Sequence, residues 1–283
     1  MKKVRIITDS TADMAERYQK KVTVAPLTVR FGDEEYEDGV TLDRRTFYEK
    51  LIECDTLPTT SQAAPETFRA LYEKASAAGE SAVVITISSK LSGTYQSACL
   101  AAEDFPDVYV VDSLSATTGT GILVEYAVDC AERGMDGAAL AKHLEEKRQD
   151  ICLIAMLDTL EYLKKGGRIS KAAAFAGGLL NIKPVVSLND GEVVVVGKAR
   201  GSRQGNNLLV EKIRETGGVD FSMPIMLGYT GLTDVLLKKY VEDSRDLWQG
   251  QADDLDAALV CSVIGTHVGP GAIVASFFRK HTV

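Results

Sequence analysis

The stretch AVVITISSKLSGTYQSA, residues 82–98, joins a continuous apolar run to a cluster of hydroxyls. The run 82–87 is rich in β-branched side chains, which suits a central parallel strand covered on both faces. In open α/β sheets the carboxyl ends of such strands face a crevice, where loops diverge, helix amino termini point inward and ligands bind. The hydroxyls of 88–97 therefore stand where a ligand would be held. Two other strand ends repeat the pattern: 4–8 runs into TDST (8–11), and 108–111 runs into VDSLSATTG (111–119). One such cluster is ordinarily a helix cap, but three together favour a polar crevice.

Outward from this stretch, short apolar runs alternate with amphipathic segments, without a long Pro-, Gly- or Ser-rich linker or an internal repeat. That alternation predicts an α/β protein. A further strand is predicted near 27–31, and a helix over 41–53 with Phe47, Tyr48, Leu51 and Ile52 on one face and Thr41 as its cap. PTTSQ (58–62) reads as a loop, and the next helix opens at Pro65 and closes at Gly79. Another helix starts near Asp136, and 151–156 is a further buried strand. The reading divides the chain into an N-terminal parallel-sheet α/β domain, residues 1–157, and a C-terminal mixed α/β domain, residues 158–283, with the ligand site between them.

In the second half, LDTLEYLKKGGRISK (157–171) predicts a short helix stopped at Gly166 and Gly167, beside a basic cluster of Lys164, Lys165, Arg168 and Lys171. AAAFAGGLL (172–180) follows. Asn189, Asp190 and Gly191, set between apolar runs at 185–188 and 193–196, predict a hairpin. A helix through 208–213, a strand near 225–227, a helix through 236–241 and a strand over 259–264 complete the chain. That last strand opens into GTHVGPG (265–271).

At 283 residues the chain is long for one core, and 45% hydrophobic with 25% charged residues is ordinary for a folded soluble protein. The net charge of −8 argues against non-specific attraction to nucleic acid or to an anionic membrane. Cys54, Cys99, Cys130, Cys152 and Cys261 are odd in number and form no CxxC pair, so they read as buried thiols in a reducing compartment. The opening MKKVRIITDS holds too short an apolar run for a secretory signal, and no stretch reaches membrane-spanning length; a cytoplasmic location is expected.

Neither GxxxxGK[ST] nor GxGxxG occurs in the required context, so the usual glycine arrangements for nucleotides are missing. Of His143, His267 and His281, only His267 has a functional setting, and without HExxH or paired cysteines no metal is expected. Ser92 with His267 and an acid such as Asp9 or Asp112 leaves open a serine-dependent lipid esterase or acyltransferase. The nucleophile elbow counts against it, because Lys90 and Thr94 stand where its glycines belong.

TDSTAD, PTTSQ, ISSKLSGTYQSA, VVDSLSA, LDTLEYLKKGGRISK, LLNIKPVVSLNDGEV and IGTHVGPGA occur in an order that spans almost the whole chain. This ordered set resembles the DegV family, similar in role to FakB, the fatty-acid-binding subunit of bacterial fatty acid kinase. The resemblance implies a two-domain DegV-like fold and a carrier of one long-chain fatty acid without chemistry or cofactor of its own. The carboxylate would be presented to a separate ATP-binding kinase subunit for acyl phosphate formation. By resemblance Thr60, Ser92, Gly93 and His267 hold the carboxylate, and Arg168 closes the hydrogen-bonded network. Ser61 is the alternative donor to Thr60, and Arg168 could equally form a structural ion pair. Arg200, with Arg203 nearby, resembles the partner-docking surface. Affinity would come from an apolar tunnel, for which AAAFAGGLL is a candidate wall. No nucleic acid partner is implied, and transient contact with a membrane is compatible with the reading.

Overall fold

The structure, a computed structural model, describes residues 2–170 and 181–280. Along the chain the strands are β1 (Val4–Asp9), β2 (Val22–Ala25), β3 (Thr28–Phe31), β4 (Glu34–Glu37), β5 (Thr59–Ser61), β6 (Ser81–Thr86) and β7 (Val108–Asp112). They continue with β8 (Ile151–Met156), β9 (Ile182–Asn189), β10 (Glu192–Arg200), β11 (Ile225–Tyr229), β12 (Ala257–Leu259) and β13 (Ile273–Phe278). Among the described residues they form three sheets, ordered β2-β1-β6-β7, β10-β9-β8-β13-β11-β12 and β4-β3-β5.

The strand of the opening stretch is β6, buried along its whole length inside an all-parallel sheet. Successive side chains of a strand face opposite ways. Ile6, Val83, Ile85 and Val111 accordingly pack on one face against Leu123, Val124, Leu140 and Leu144 of the helices Thr117–Glu132 and Gly137–Lys147. Ile7, Ala82 and Val84 face the other way, onto Phe47, Phe68, Tyr72 and Ala98 of the helices Arg44–Glu53, Pro65–Ala77 and Thr94–Ala102.

The six-stranded sheet is mixed: β11 and β12 run parallel, and every other pair is antiparallel. One face packs on Leu209, Ile213, Tyr240 and Trp248. The other face, with Leu153, Ala155, Val186 and Val274, turns toward the helix Ser262–Val268 and the parallel sheet. Between the sheets runs Thr117–Glu132, whose Leu123 and Val124 pack with β6 and whose Ile122 packs with Met226 and Phe278. The fold is therefore the α/β pairing of a parallel and a mixed sheet that the sequence predicts.

Several local expectations are corrected. The strand 151–156, read with the N-terminal sheet, is β8 and pairs with β9 and β13 of the mixed sheet. A strand buried on both faces carries no mark of its partners, so its sheet was not legible. The segment 259–264 divides into the end of β12 and the helix Ser262–Val268; a short apolar run fits either state until its neighbours decide. PTTSQ contains β5, which pairs with β3. Asp43, not Thr41, caps Arg44–Glu53 by accepting from the Thr46 N–H at 3.0 Å, while the Thr41 hydroxyl accepts from the Glu37 N–H. The predicted hairpin turn is present: Asp190 and Gly191 have φ of 46° and 81°, the left-handed pair a two-residue loop needs.

Candidate functional site

The site forms where the three sheets meet. β5 aligns Thr60 opposite Val29 of β3, and the helix Ser262–Val268 carries His267 in its last turn. Thr60 Oγ1 and His267 Nε2 are 2.8 Å apart. His267 is largely buried, and burial together with the Arg168 guanidinium pushes its pKa from the ordinary 6.5 down to about 4. Its imidazole is neutral at pH 7, with one nitrogen to donate and one to accept.

Arg168 follows the helix Glu161–Lys165, which ends as predicted at Gly166 and Gly167, the latter at φ 71°. Its guanidinium donates from Nε to the Leu91 carbonyl at 3.1 Å and from Nη1 to the Gly166 carbonyl at 2.6 Å. It thereby ties the second half of the chain to the KLSGT loop. Ser92 Oγ lies 2.8 Å from Thr94 Oγ1 and accepts from the Thr94 N–H at the start of Thr94–Ala102.

Thr60, Ser61, Gln62, Ser92, Arg168 and His267 line a cavity of about 110 Å³. One water needs roughly 10–15 Å³ of such space, so the cavity has room for several. Leu153, Ala155 and Leu157 of the β8 segment, Val186 and Leu188 of β9, and Val260, Val263, Ile264 and Val268 supply most of its aliphatic lining. Together the six residues named first offer hydroxyls, an amide, a neutral imidazole and one guanidinium. This donor set suits an anionic head group, while the rest of the lining, Thr117, Ser187 and Thr230 apart, is aliphatic and suits an alkyl chain.

Of the predicted site residues, Thr60, Ser61, Ser92, Arg168 and His267 line this one cavity. Gly93, expected at the carboxylate, is not among the cavity-lining residues; it precedes Thr94–Ala102, where a Cβ would run into the Gln62 side-chain oxygen. Arg200 and Arg203 are exposed, at the junction of β10 with the helix Gly201–Glu215, and do not line the cavity. AAAFAGGLL and Lys171 lie outside the described residues.

Two contributors escaped the sequence reading. Gln62, within PTTSQ, donates to Ser97 Oγ at 2.7 Å and closes over Gly93. Gly166 has an ordinary φ of −74°, but a Cβ there would strike His267 Nδ1, so it is small to admit the ring. Nothing in the sequence separates that role from its role as a helix stop.

The parts of a serine triad are committed elsewhere. His267 Nε2 meets Thr60 rather than Ser92, and Asp9 accepts from Thr11 and from the Ile87 N–H. Asp112 accepts from the N–H groups of Ser89 and Leu114. Among the described residues no helix is long and apolar enough to cross a membrane.

Fold and site thus define an α/β protein with a mainly apolar cavity whose lining includes a group of hydrogen-bonding side chains. The sequence profile of the DegV family, described as "Uncharacterised protein, DegV family", matches residues 3–280. A DegV domain-containing protein of Caldanaerobacter subterraneus subsp. tengcongensis is 34% identical over 99% of this chain and 100% of its own. A solved DegV family protein from Thermus thermophilus, described by its fatty acid binding, is 32% identical with a TM-score of 0.86, covering 98% of this chain and 99% of that one. A stearic acid-binding protein from Eubacterium ventriosum is 27% identical with a TM-score of 0.83, covering 99% of each chain. The chain belongs to the DegV family.

Proposed function

We propose that the protein is a carrier for a long-chain fatty acid, with the alkyl tail in the cavity and the carboxylate among Thr60, Ser61, Ser92, Arg168 and His267. The observation that carries the proposal is one cavity with a mainly aliphatic lining, in which Thr60, hydrogen-bonded to His267, and Arg168, whose charge acts on that imidazole, are brought together. The solved relatives described as fatty-acid-binding support the same ligand class. The energetics are adequate: at ~0.8 kcal/mol per buried methylene, a tail of about 15 carbons supplies on the order of 10 kcal/mol before ordering costs. Neutral donors and one guanidinium compensate the carboxylate, which would be costly to bury alone.

In this reading the chain performs no chemistry by itself. A separate ATP-binding kinase subunit docks on the surface around Arg200 and Arg203, takes the presented carboxylate and forms the acyl phosphate. The missing nucleotide motifs and the exposure of both arginines support this division of labour. The test is mass spectrometry of small molecules extracted from the purified protein. One long-chain fatty acid per chain is expected; lipid-free protein of native fold that takes up no fatty acid would overturn the reading.

A further inference from the structure

The helix Ser262–Val268 has no side-chain cap of its own at Cys261. Carboxylates from the distant N-terminal half take its first N–H groups. Asp38 Oδ1 accepts from the Ser262 N–H at 3.1 Å, and Asp13 Oδ2 accepts from the Cys261 N–H at 3.2 Å and from the Thr117 hydroxyl at 2.6 Å. Both carboxylates are buried, with 0% exposure for Asp13 and 2% for Asp38.

Arg44 completes the arrangement. Its Nη2 lies 2.8 Å from Asp13 Oδ1, and its Nη1 donates to the Leu259 carbonyl, one residue ahead of the segment that enters the helix. The Tyr48 hydroxyl donates to the Val260 carbonyl at 3.1 Å. Packing acts on the same element: a Cβ at Gly265 would fall 2.6 Å from Phe47 Cε1 and 2.7 Å from the Tyr48 hydroxyl oxygen, so the helix lies against Arg44–Glu53 at a distance only glycine permits. Side chains of Asp13 and of residues 38–48 therefore converge on 259–265. His267 follows within the same short helix, about 8 Å along its axis from Ser262 at 1.5 Å per residue.

We infer that Asp13, Asp38 and Arg44 are positioning residues for the head-group site, fixing the start of the His267 helix against the half of the chain that carries Thr60. The inference rests on the fatty-acid reading of that site for its functional consequence. Burial of two carboxylates is costly without partners, and the partners found are the guanidinium and the N–H groups of the helix they hold. Burial raises the pKa of both acids against the lowering effect of Arg44, in keeping with a site built for geometry rather than for charge. A misplacement of the imaginable size, about 1 Å, is enough to lose a large factor at a site built on directed hydrogen bonds.

The experiment compares Asp38→Ala, Asp38→Asn and Gly265→Ala with Ile213→Ala, a core substitution on the far face of the mixed sheet. Two quantities are read: the titration of the His267 ring by NMR in ligand-free protein, and the affinity for palmitate. Asp38→Ala and Gly265→Ala are expected to move the ring titration up from about 4 toward 6.5 and to weaken palmitate binding by about tenfold or more. Asp38→Asn keeps an oxygen acceptor for the Ser262 N–H and is expected to stay within about threefold of the parent. Ile213→Ala is expected to lose stability with both readouts unmoved. Should Asp38→Ala fail to fold, Arg44→Gln, which removes the charge paired with Asp13, takes its place, and Gly265→Ala shows what displacing the helix does to the same readouts. A wild-type ring titration and affinity in the folded displaced variant, or equal changes in Ile213→Ala, would overturn the inference. A parent protein that takes up no palmitate would overturn the fatty-acid reading instead, and the ring titration would still test the positioning.

Discussion

Thr60 Oγ1 and His267 Nε2 lie 2.8 Å apart although 207 positions separate them in the chain. Thr60 sits on a three-residue strand beside the parallel sheet, and His267 on a seven-residue helix leading into the last strand of the mixed sheet. Neither half of the chain can build this pair alone. If a carboxylate is bound there, the contact joins the two halves as well as the ligand.

Removal of a head-group hydroxyl should cost affinity without costing the fold. Thr60→Val and Ser92→Ala each delete one donor to a charged acceptor, which is worth roughly 1.5–3 kcal/mol, or about 10- to 150-fold in Kd. Titration with palmitate, with folding followed by circular dichroism, measures the effect. Unchanged affinity in both variants would take these residues out of the site.

His267 gives the ligand-free protein a pH dependence of known sign. Its folded pKa is about 4, below the ordinary 6.5, because burial and Arg168 disfavour the imidazolium. The unfolded chain binds the proton more readily, so the stabilising contribution is complete above pH 6.5 and is lost as the pH falls toward 4. The full effect is on the order of 3 kcal/mol. In His267→Gln that share of the slope should vanish, so urea midpoints of parent and variant should diverge between these pH values; parallel curves would refute the assignment.

Glu125 should act in the opposite direction. It is buried in the helix between the sheets, accepts from the Ala15 N–H at 2.8 Å, and burial pushes its pKa up from 4.5 to about 7. Its folded form keeps a proton that the unfolded chain releases, so stability is lost as the pH rises from 4.5 through 7. Glu125→Gln retains the acceptor oxygen without the charge. The variant should gain up to about 3 kcal/mol relative to the parent at pH 8 and show little difference at pH 4, as read by denaturant unfolding.

Holding and presenting the ligand should separate at Arg200. Arg200→Ala leaves the cavity untouched and should leave palmitate affinity unchanged, while it slows association with the kinase subunit in a salt-sensitive way and lowers acyl phosphate output. Loss of palmitate binding in this variant, or no loss of partner binding, would contradict the proposed surface.

The parts of the fold visible in the sequence are those with a strong local cause. β6 follows from an unbroken β-branched run, the Asp190-Gly191 turn from its need for positive φ, and the helix start at Asp136 from a carboxylate that accepts from the Ala139 N–H at 3.0 Å. Features decided by remote neighbours were not visible: the sheet that receives β8, the helical state of Ser262–Val268, and the pairing of β5 with β3. Of the three hydroxyl-rich strand ends, only Ser92 and Thr117 reach the cavity, while Thr8, Ser10, Thr11, Ser88 and Ser113 are taken up by hydrogen bonds within the fold. Thr60, Ser92 and His267 became a set only through the order of motifs, because no spacing brings residue 60 to residue 267. Gln62 and Gly166 were missed because their roles lie in contacts across the fold.

The central claim concerns where a carboxylate sits, and NMR of palmitate labelled with ¹³C at its carboxyl carbon reads that directly. The account predicts one bound resonance that saturates at one ligand per chain, stays ionised to lower pH than free palmitate, and shifts in both Thr60→Val and His267→Gln. The absence of a saturable bound resonance, or a bound resonance that neither substitution moves, would contradict it.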